Sequence, residues 1–217
     1  AELAVQNLQA EPSGVLRVTS PFPLDDPFSS KLFMSFIKSH AKIRIEFFVH
    51  ARKVDLIEEG IDCAIIPGHL EDSSLIARGM GTSRLIYCAS PEYLTLYGRP
   101  TGQDDLQHHH LVEHEPPAWL GMPKNPLLGL IESRFYTNDF FAARRAAIDG
   151  VGISCLPEVQ ITQHLKRGEL IEILPELAIS VPVSLVFPSN KKFTTKLRAF
   201  IDHMVEFSAQ HAPWDFD

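Results

Sequence analysis

The sequence predicts an α/β protein built from two βα lobes, and three observations lead there. Residues 43–68 read as strand, helix and strand with tight connections, a βαβ unit whose two strands should be parallel with a right-handed crossover. Short apolar runs alternate with amphipathic stretches over most of the remaining chain. The length of 217 residues fits one large or two small domains, and 45% hydrophobic with 22% charged residues is an ordinary globular balance.

In the first unit, Ile43, Ile45, Phe47 and Val49 alternate with Arg44 and Glu46, the period of a strand. Lys53 to Glu59 has helical character, with Val54 and Ile57 on one face and Gly60 as the stop. Ile61 to Ile66 is nearly continuous apolar sequence, the mark of a strand covered on both faces.

Upstream, Leu3, Ala4 and Leu8 at helical spacing suggest that residues 1–13 are the tail of a helix, ended by Pro12-Ser13-Gly14. Val15 to Ser20 is a first strand. Asp25 or Asp26 then caps a helix with Pro27 in its first turn and a stripe of Leu32, Phe33, Phe36 and Ile37.

Downstream, Leu75 to Ala77 and Arg84 to Ala89 read as two strands around a Gly79-Met80-Gly81 turn. Ser90-Pro91 opens a short helix ending near Gly98, Asp104 to Gln107 is a helical turn, and Leu111-Val112 a brief strand. Residues 115–129 are Pro- and Gly-rich and carry little pattern. Arg134 to Thr137 is a strand, and Asn138 or Asp139 caps a helix through Ile148 that Gly150 stops. Gly152 to Leu156 is a buried strand, Pro157 opens a helix to Gly168, and Leu170 to Leu174 and Val181 to Phe187 are strands. The last helix carries Phe193, Leu197, Phe200, Ile201, Met204 and Val205. Lobe boundaries are expected at Ala89-Ser90 and Phe187-Pro188, giving 14–89 with 188–210 as lobe I and 90–187 as lobe II. Two crossings of this kind make a hinge over a cleft.

Several functions are disfavoured. A net charge of −7 argues against a chain that wraps nucleic acid. No apolar run approaches a membrane span, and no secretion signal is visible. Cys63, Cys88 and Cys155 each sit in an apolar run, so buried reduced thiols and a cytoplasmic location are expected. His108-His109-His110 with His114 lacks metal-ligand spacing and reads as solvated loop histidines, so neither metal nor cofactor is expected. Gly150-Val151-Gly152 follows a helix and precedes a strand, the reverse of a phosphate-binding order. No nucleophile, base and orienter form a recognisable set, so an enzyme is not expected.

In open α/β sheets ligands sit outside the carboxyl ends of the strands. Thr19 and Ser20 end the first strand just before a helix start, where backbone N–H groups favour an anion. His50 ends the second, Arg52 lies beside it, and Asn138 precedes a helix start in the second lobe. Each also has a plain structural role available, as turn residue, helix cap or partner of a nearby acid.

Several phrases then occur in order: Val54-Asp55-Leu56-Ile57-Glu58-Glu59-Gly60-Ile61-Asp62, Asp72-Ser73-Ser74-Leu75-Ile76-Ala77-Arg78, and Ala89-Ser90-Pro91-Glu92-Tyr93-Leu94. Gly98-Arg99-Pro100, Asp105-Leu106 and Asp149-Gly150-Val151-Gly152-Ile153-Ser154-Cys155-Leu156-Pro157 follow. From about Gly14 to Phe207 the chain strongly resembles the effector-binding domain of LysR-type transcriptional regulators. The resemblance implies a fold like the type 2 periplasmic binding proteins, two Rossmann-like lobes with a small-molecule cleft. It also implies a homodimer or tetramer, and DNA contact only through an N-terminal helix-turn-helix that these residues do not include, with residues 1–10 as the end of its linker helix. The effector contacts it implies fall at Ser20-Pro21, His50-Ala51-Arg52, Ile66-Pro67 and Asn138-Asp139; the expected effector is a small organic anion, with a neutral ligand as the alternative because the cation common near Ile66-Pro67 in relatives is absent. Many relatives carry Arg where this chain has Ile66-Pro67, and a Ser, Thr or Asp where it has His50. A solute-binding protein of a transport system is the alternative on the same fold.

Overall fold

The structure, a computed structural model, describes residues 11–50, 52–70, 75–116, 118–189 and 193–211. The expected linker-helix end falls outside these apart from residues 11–13, which are coil; Ala51 and the Asp72-Ser73-Ser74 phrase also lie outside them.

The chain divides into two compact units, residues 1–82 with 182–217 and residues 83–181. The sequence suggested crossings at Ala89-Ser90 and Phe187-Pro188. The divisions fall instead at Thr82–Ser83 and Val181–Pro182, because they lie inside two long strands rather than at strand ends.

In the first unit, β1 (Gly14–Ser20) lies between β2 (Ile43–Val49) and β3 (Cys63–Pro67) and is parallel to both. Strand β9 (Ile179–Pro188) enters this unit from residue 182, and its residues 183–186 join β3 antiparallel. Helix α1 (Pro27–Ser39) starts as its composition requires, with Asp26 accepting from Ser29 N–H at 2.8 Å and Pro27 in the first turn. Its buried stripe of Phe28, Leu32, Phe33 and Phe36 meets α5 (Thr195–Gln210), which buries Leu197, Phe200, Ile201 and Met204. Phe33 and Phe36 each stand edge-on to Phe200, at 5.7 and 5.2 Å between ring centres. Phe193 precedes the helix and is exposed.

The helix expected over Lys53 to Glu59 is absent. Asp55 turns its carboxylate onto the N–H groups of Ile57 (2.9 Å) and Glu58 (3.0 Å), a local arrangement that competes with helix. One helical bond forms, Glu59 N–H to Asp55 carbonyl, before Gly60 ends the turn at φ +69°. Leu56 is the residue this turn buries, against Ile61, Ala64 and Val186, while Ile57 is exposed. The Gly79-Met80-Gly81 turn is also absent: residues 75–89 form one strand, β4 (Leu75–Ala89). Glycine marks a turn in many sequences but also serves where a strand must bend or run through open space, and nothing lies within 4 Å of a Cβ placed on Gly79.

In the second unit, residues 85–89 of β4 pair antiparallel with β7 (Ile153–Pro157) and β8 (Ile171–Ile173). Strand β5 (His110–His114) is parallel to both β7 and β6 (Glu132–Thr137). Helices α2 (Pro91–Tyr97), α3 (Phe140–Ile148) and α4 (Glu158–Lys166) lie between these strands in sequence. Gly152 is required by close approach: a Cβ there would stand 2.6 Å from the His110 carbonyl oxygen. Two apolar clusters form the core, one around Tyr87, Tyr93, Leu111 and Ile153, the other around Ile86, Val112, Phe140 and Leu156.

Cys63 and Cys88 are buried and Cys155 half-buried, all as free thiols. Burial pushes each thiol up, that of Cys155 to about 12, so none is a ready nucleophile. Among the described residues no helix is long and apolar enough to cross a membrane.

Candidate functional site

In the first unit the three parallel strands end together. The register sets Ser20 beside Val49 and Thr19 beside Ala64, so Ile66 and Pro67 run past the end of β1. The His50 N–H donates to the Ser20 carbonyl at 3.1 Å. Thr19 and Ser20 are buried. The Thr19 hydroxyl lies 3.0 Å from His50 Nδ1 and 3.2 Å from the Phe48 carbonyl, and the imidazole stacks on Phe48 at 6.0 Å. Ser20 Oγ accepts from Phe22 N–H at 3.2 Å, across the half-buried Pro21. Ile66 and Pro67 pair with Ser184 and Val183, and Gly68 N–H bonds the Pro182 carbonyl at 2.8 Å. Thr19, Ser20 and His50 are therefore brought into one bonded group. His50 also lines a hollow of about 210 Å³ with Arg17, Glu46, Phe48, Glu59 and Ile61.

Arg52 does not join that group. Its guanidinium grips both oxygens of Glu59, at 2.7 and 2.6 Å. That bond raises the arginine above its ordinary pKa and holds the Glu59 carboxyl below its own. The cation near the second strand end is thus already paired.

In the second unit His114 and Thr137 stand side by side at the ends of β5 and β6. Asp139, not Asn138, caps α3, its Oδ1 accepting from Phe141 N–H at 2.8 Å and Ala142 N–H at 3.4 Å. Asn138 and Asp139 are both exposed. The Thr137 hydroxyl accepts from Asp139 N–H at 3.0 Å.

The expectation of an anionic ligand rested on helix starts near Ser20 and Asn138, on His50 and on Arg52. Asp26 and Asp139 occupy the two helix starts with carboxylates of their own, and Arg52 is taken by Glu59. Of these grounds, His50 is the one whose side chain is not paired with an acid among the described residues.

The histidines are not solvated loop residues. His108 is exposed, but His109 is buried with Nδ1 3.2 Å from the Tyr93 hydroxyl, and His110 opens β5. His114 closes β5 edge-on to Phe140 at 6.0 Å. Burial lowers the pKa of His109 and His114, with Asp139 acting against the shift at His114. Sequence reading missed His114 as a strand-end residue. Its place is visible only once β5 is known to lie between β7 and β6. Among the described residues no cluster of His, Cys, Asp and Glu could hold a metal ion.

Residues 9–209 match the family described as the LysR substrate binding domain. An uncharacterised HTH-type transcriptional regulator of Haemophilus influenzae is 32% identical over 203 residues, 91% of this chain and 70% of that protein. The HTH-type transcriptional regulator CrgA of Neisseria meningitidis is 31% identical over 95% of this chain and 71% of its own length. The solved CrgA regulatory domain superposes with a TM-score of 0.78 at 30% identity, covering 90% of this chain and 98% of that domain.

Proposed function

This chain belongs to the LysR substrate binding domain family, and from that premise we propose that it is the effector-sensing part of a LysR-type transcriptional regulator. A small organic molecule binds at the strand ends of the first unit, meeting Ser20, Pro21, His50, Ile66 and Pro67, and Asn138 and Asp139 are candidate contacts at a strand end of the second unit, taken by itself. The observation that carries this reading is the bonded group of Thr19, Ser20 and His50 at the carboxyl ends of parallel strands. That is where α/β sheets bind ligands. Thr19 acts there by holding His50 and Arg52 by holding Glu59, so both are positioning residues. Transcriptional regulators are the relatives, and regulation rather than catalysis is the role the chain takes.

The signal reaches DNA through association of copies. Strand β2 ends the sheet of the first unit with Phe48 and Val49 exposed, Met34 of α1 is exposed as well, and a two-fold pairing would cover them with one self-complementary surface. Sedimentation at high protein concentration should show dimers or larger assemblies; monomer alone would count against this step. DNA is read outside these residues, in keeping with the charge of −7.

The binding site is tested by identifying molecules released from natively purified protein by mass spectrometry, then titrating them calorimetrically. Ser20→Ala and His50→Ala should each weaken binding by about 1–3 kcal/mol, roughly tenfold or more. Parent-like binding by both variants would remove the site assignment while leaving the family intact.

A further inference from the structure

We propose that His50 is held as its Nδ1–H tautomer and so presents a hydrogen-bond acceptor, and that the effector meets it with an N–H or O–H group rather than a carboxylate. This inference rests on the effector-binding reading above and specifies the chemical class of the ligand.

The tautomer follows from proton counting. Thr19 is 4% exposed, so its hydroxyl depends on protein partners. Two are in reach, the Phe48 carbonyl at 3.2 Å and His50 Nδ1 at 3.0 Å. A carbonyl oxygen only accepts, and a hydroxyl carries one proton. Both contacts are made together only if Thr19 donates to Phe48 and Nδ1–H donates to Thr19. In the neutral imidazole Nε2 then keeps its lone pair, and no described residue bonds it. Stacking on Phe48, at 6.0 Å and 24° between ring planes, holds the imidazole in that orientation. Glu59 acts electrostatically on the ring, but its oxygens face the Arg52 guanidinium at 2.7 and 2.6 Å and no hydrogen bond joins them to His50.

The ligand class follows from what surrounds that lone pair. A carboxylate would need a donor or a cation, and the charges lining the hollow beside His50 are balanced against it. Arg17 gives its Nε to Glu46 at 2.9 Å, Arg52 is bidentate on Glu59, and Phe22 N–H bonds Ser20 Oγ. Glu46 and Glu59 line the same hollow and add negative charge there. A carboxylate facing Nε2 would set lone pair against lone pair, whereas an ammonium, amide N–H or hydroxyl would complete the imidazole. Phe48 and Ile61 supply apolar surface beside it, which suits a ligand pairing a small hydrophobic body with a donor head.

Nitrogen-15 NMR of the labelled chain reads the tautomer directly, with the His50 ring signals assigned by their loss in His50→Gln. The expected spectrum has a protonated Nδ1 and an unprotonated Nε2, and Thr19→Val should shift the balance toward Nε2–H. Three probes that share a phenyl ring then test the ligand class: benzylammonium, benzyl alcohol and benzoate. The first two should move the Nε2 signal at concentrations where benzoate does not. An Nε2–H tautomer in the parent protein, or benzoate binding at His50 more tightly than the other two, overturns this inference while the effector-binding reading stands. If no probe moves the His50 signals, both this inference and the place of His50 in the effector site are overturned.

Discussion

The strand ends of the two units are built differently. At the ends of β1 and β2, Thr19 and Ser20 are buried, His50 is half-buried, and the bonds run across strands: the Thr19 side chain to the His50 ring, and the Ser20 carbonyl to the His50 N–H. At the end of β6, Asn138 and Asp139 are exposed, Thr137 is half-buried, and the bonds run along the chain, Asp139 to its own helix and Thr137 to Asp139. The same α/β construction thus yields one wall fixed by long-range contacts and another fixed by a local cap. Changes in the first wall should be felt by the sheet, and changes in the second only by helix α3.

The largest effect should come from beneath the first wall. Phe36 is fully buried between α1 and α5, so Phe36→Ala should cost about 3–5 kcal/mol in chemical denaturation. Hydrogen exchange should show the loss in residues 14–67 and 183–210 first. Protection lost equally from both units would mean that they do not unfold separately.

Gly152→Ala applies the same comparison to the second unit, where the new Cβ must push β7 away from the His110 carbonyl. About 1–3 kcal/mol of destabilisation is expected, with exchange rising first in β5 and β7.

The walls themselves differ by less. Thr19→Val should cost about 1–3 kcal/mol, because it leaves a partly buried carbonyl and imidazole without their hydroxyl. Asn138→Ala should stay within about 0.5 kcal/mol, as expected for an exposed residue that is not the cap. Equal costs in thermal unfolding would erase the distinction between a cross-strand wall and a local one.

One group in each unit is expected to respond to pH in the opposite sense. Burial raises the Asp26 carboxyl above its ordinary 3.8, so the folded state holds that proton more tightly than the unfolded chain. Its contribution is present at low pH and is lost as pH rises through the folded value. Burial lowers His114 below 6.5, so its contribution is present at high pH and is lost as pH falls below about 6.5. Asp26→Asn, which keeps a capping side chain, should remove the first slope, and His114→Gln the second, in denaturation series from pH 4 to 8. The smallest effect is expected of Arg52→Ala, whose exposed pair with Glu59 is of a kind that adds little stability; a large shift in melting temperature would contradict that pairing's minor role.

Much of this architecture was legible in the chain. Asp26-Pro27 marked the start of α1, Ser90-Pro91 that of α2, and Gly60 and Gly150 the ends of a turn and a helix, because caps and positive φ are local requirements. Two local readings failed where equally local alternatives won. The Asp55 side chain took the N–H groups a helix over Lys53 to Glu59 would have used, and Gly79 and Gly81 served an extended strand rather than a reversal. The site was legible only as positions. Ser20, His50 and Asn138 could be set at element ends, but not which of them are buried or whose bonds they make.

The sequence by itself determined the α/β class, the family, most element boundaries and the reduced state of the cysteines, because periodicity, capping chemistry and ordered phrases are written along the chain. Tertiary structure alone decided that Thr19 and not solvent meets His50, that Arg52 is spent on Glu59, that Asp139 rather than Asn138 closes α3, and that His114 ends a parallel strand. Those outcomes depend on strand register and on competition between partners far apart in sequence, such as residues 19 and 50, and neither is encoded in any local stretch.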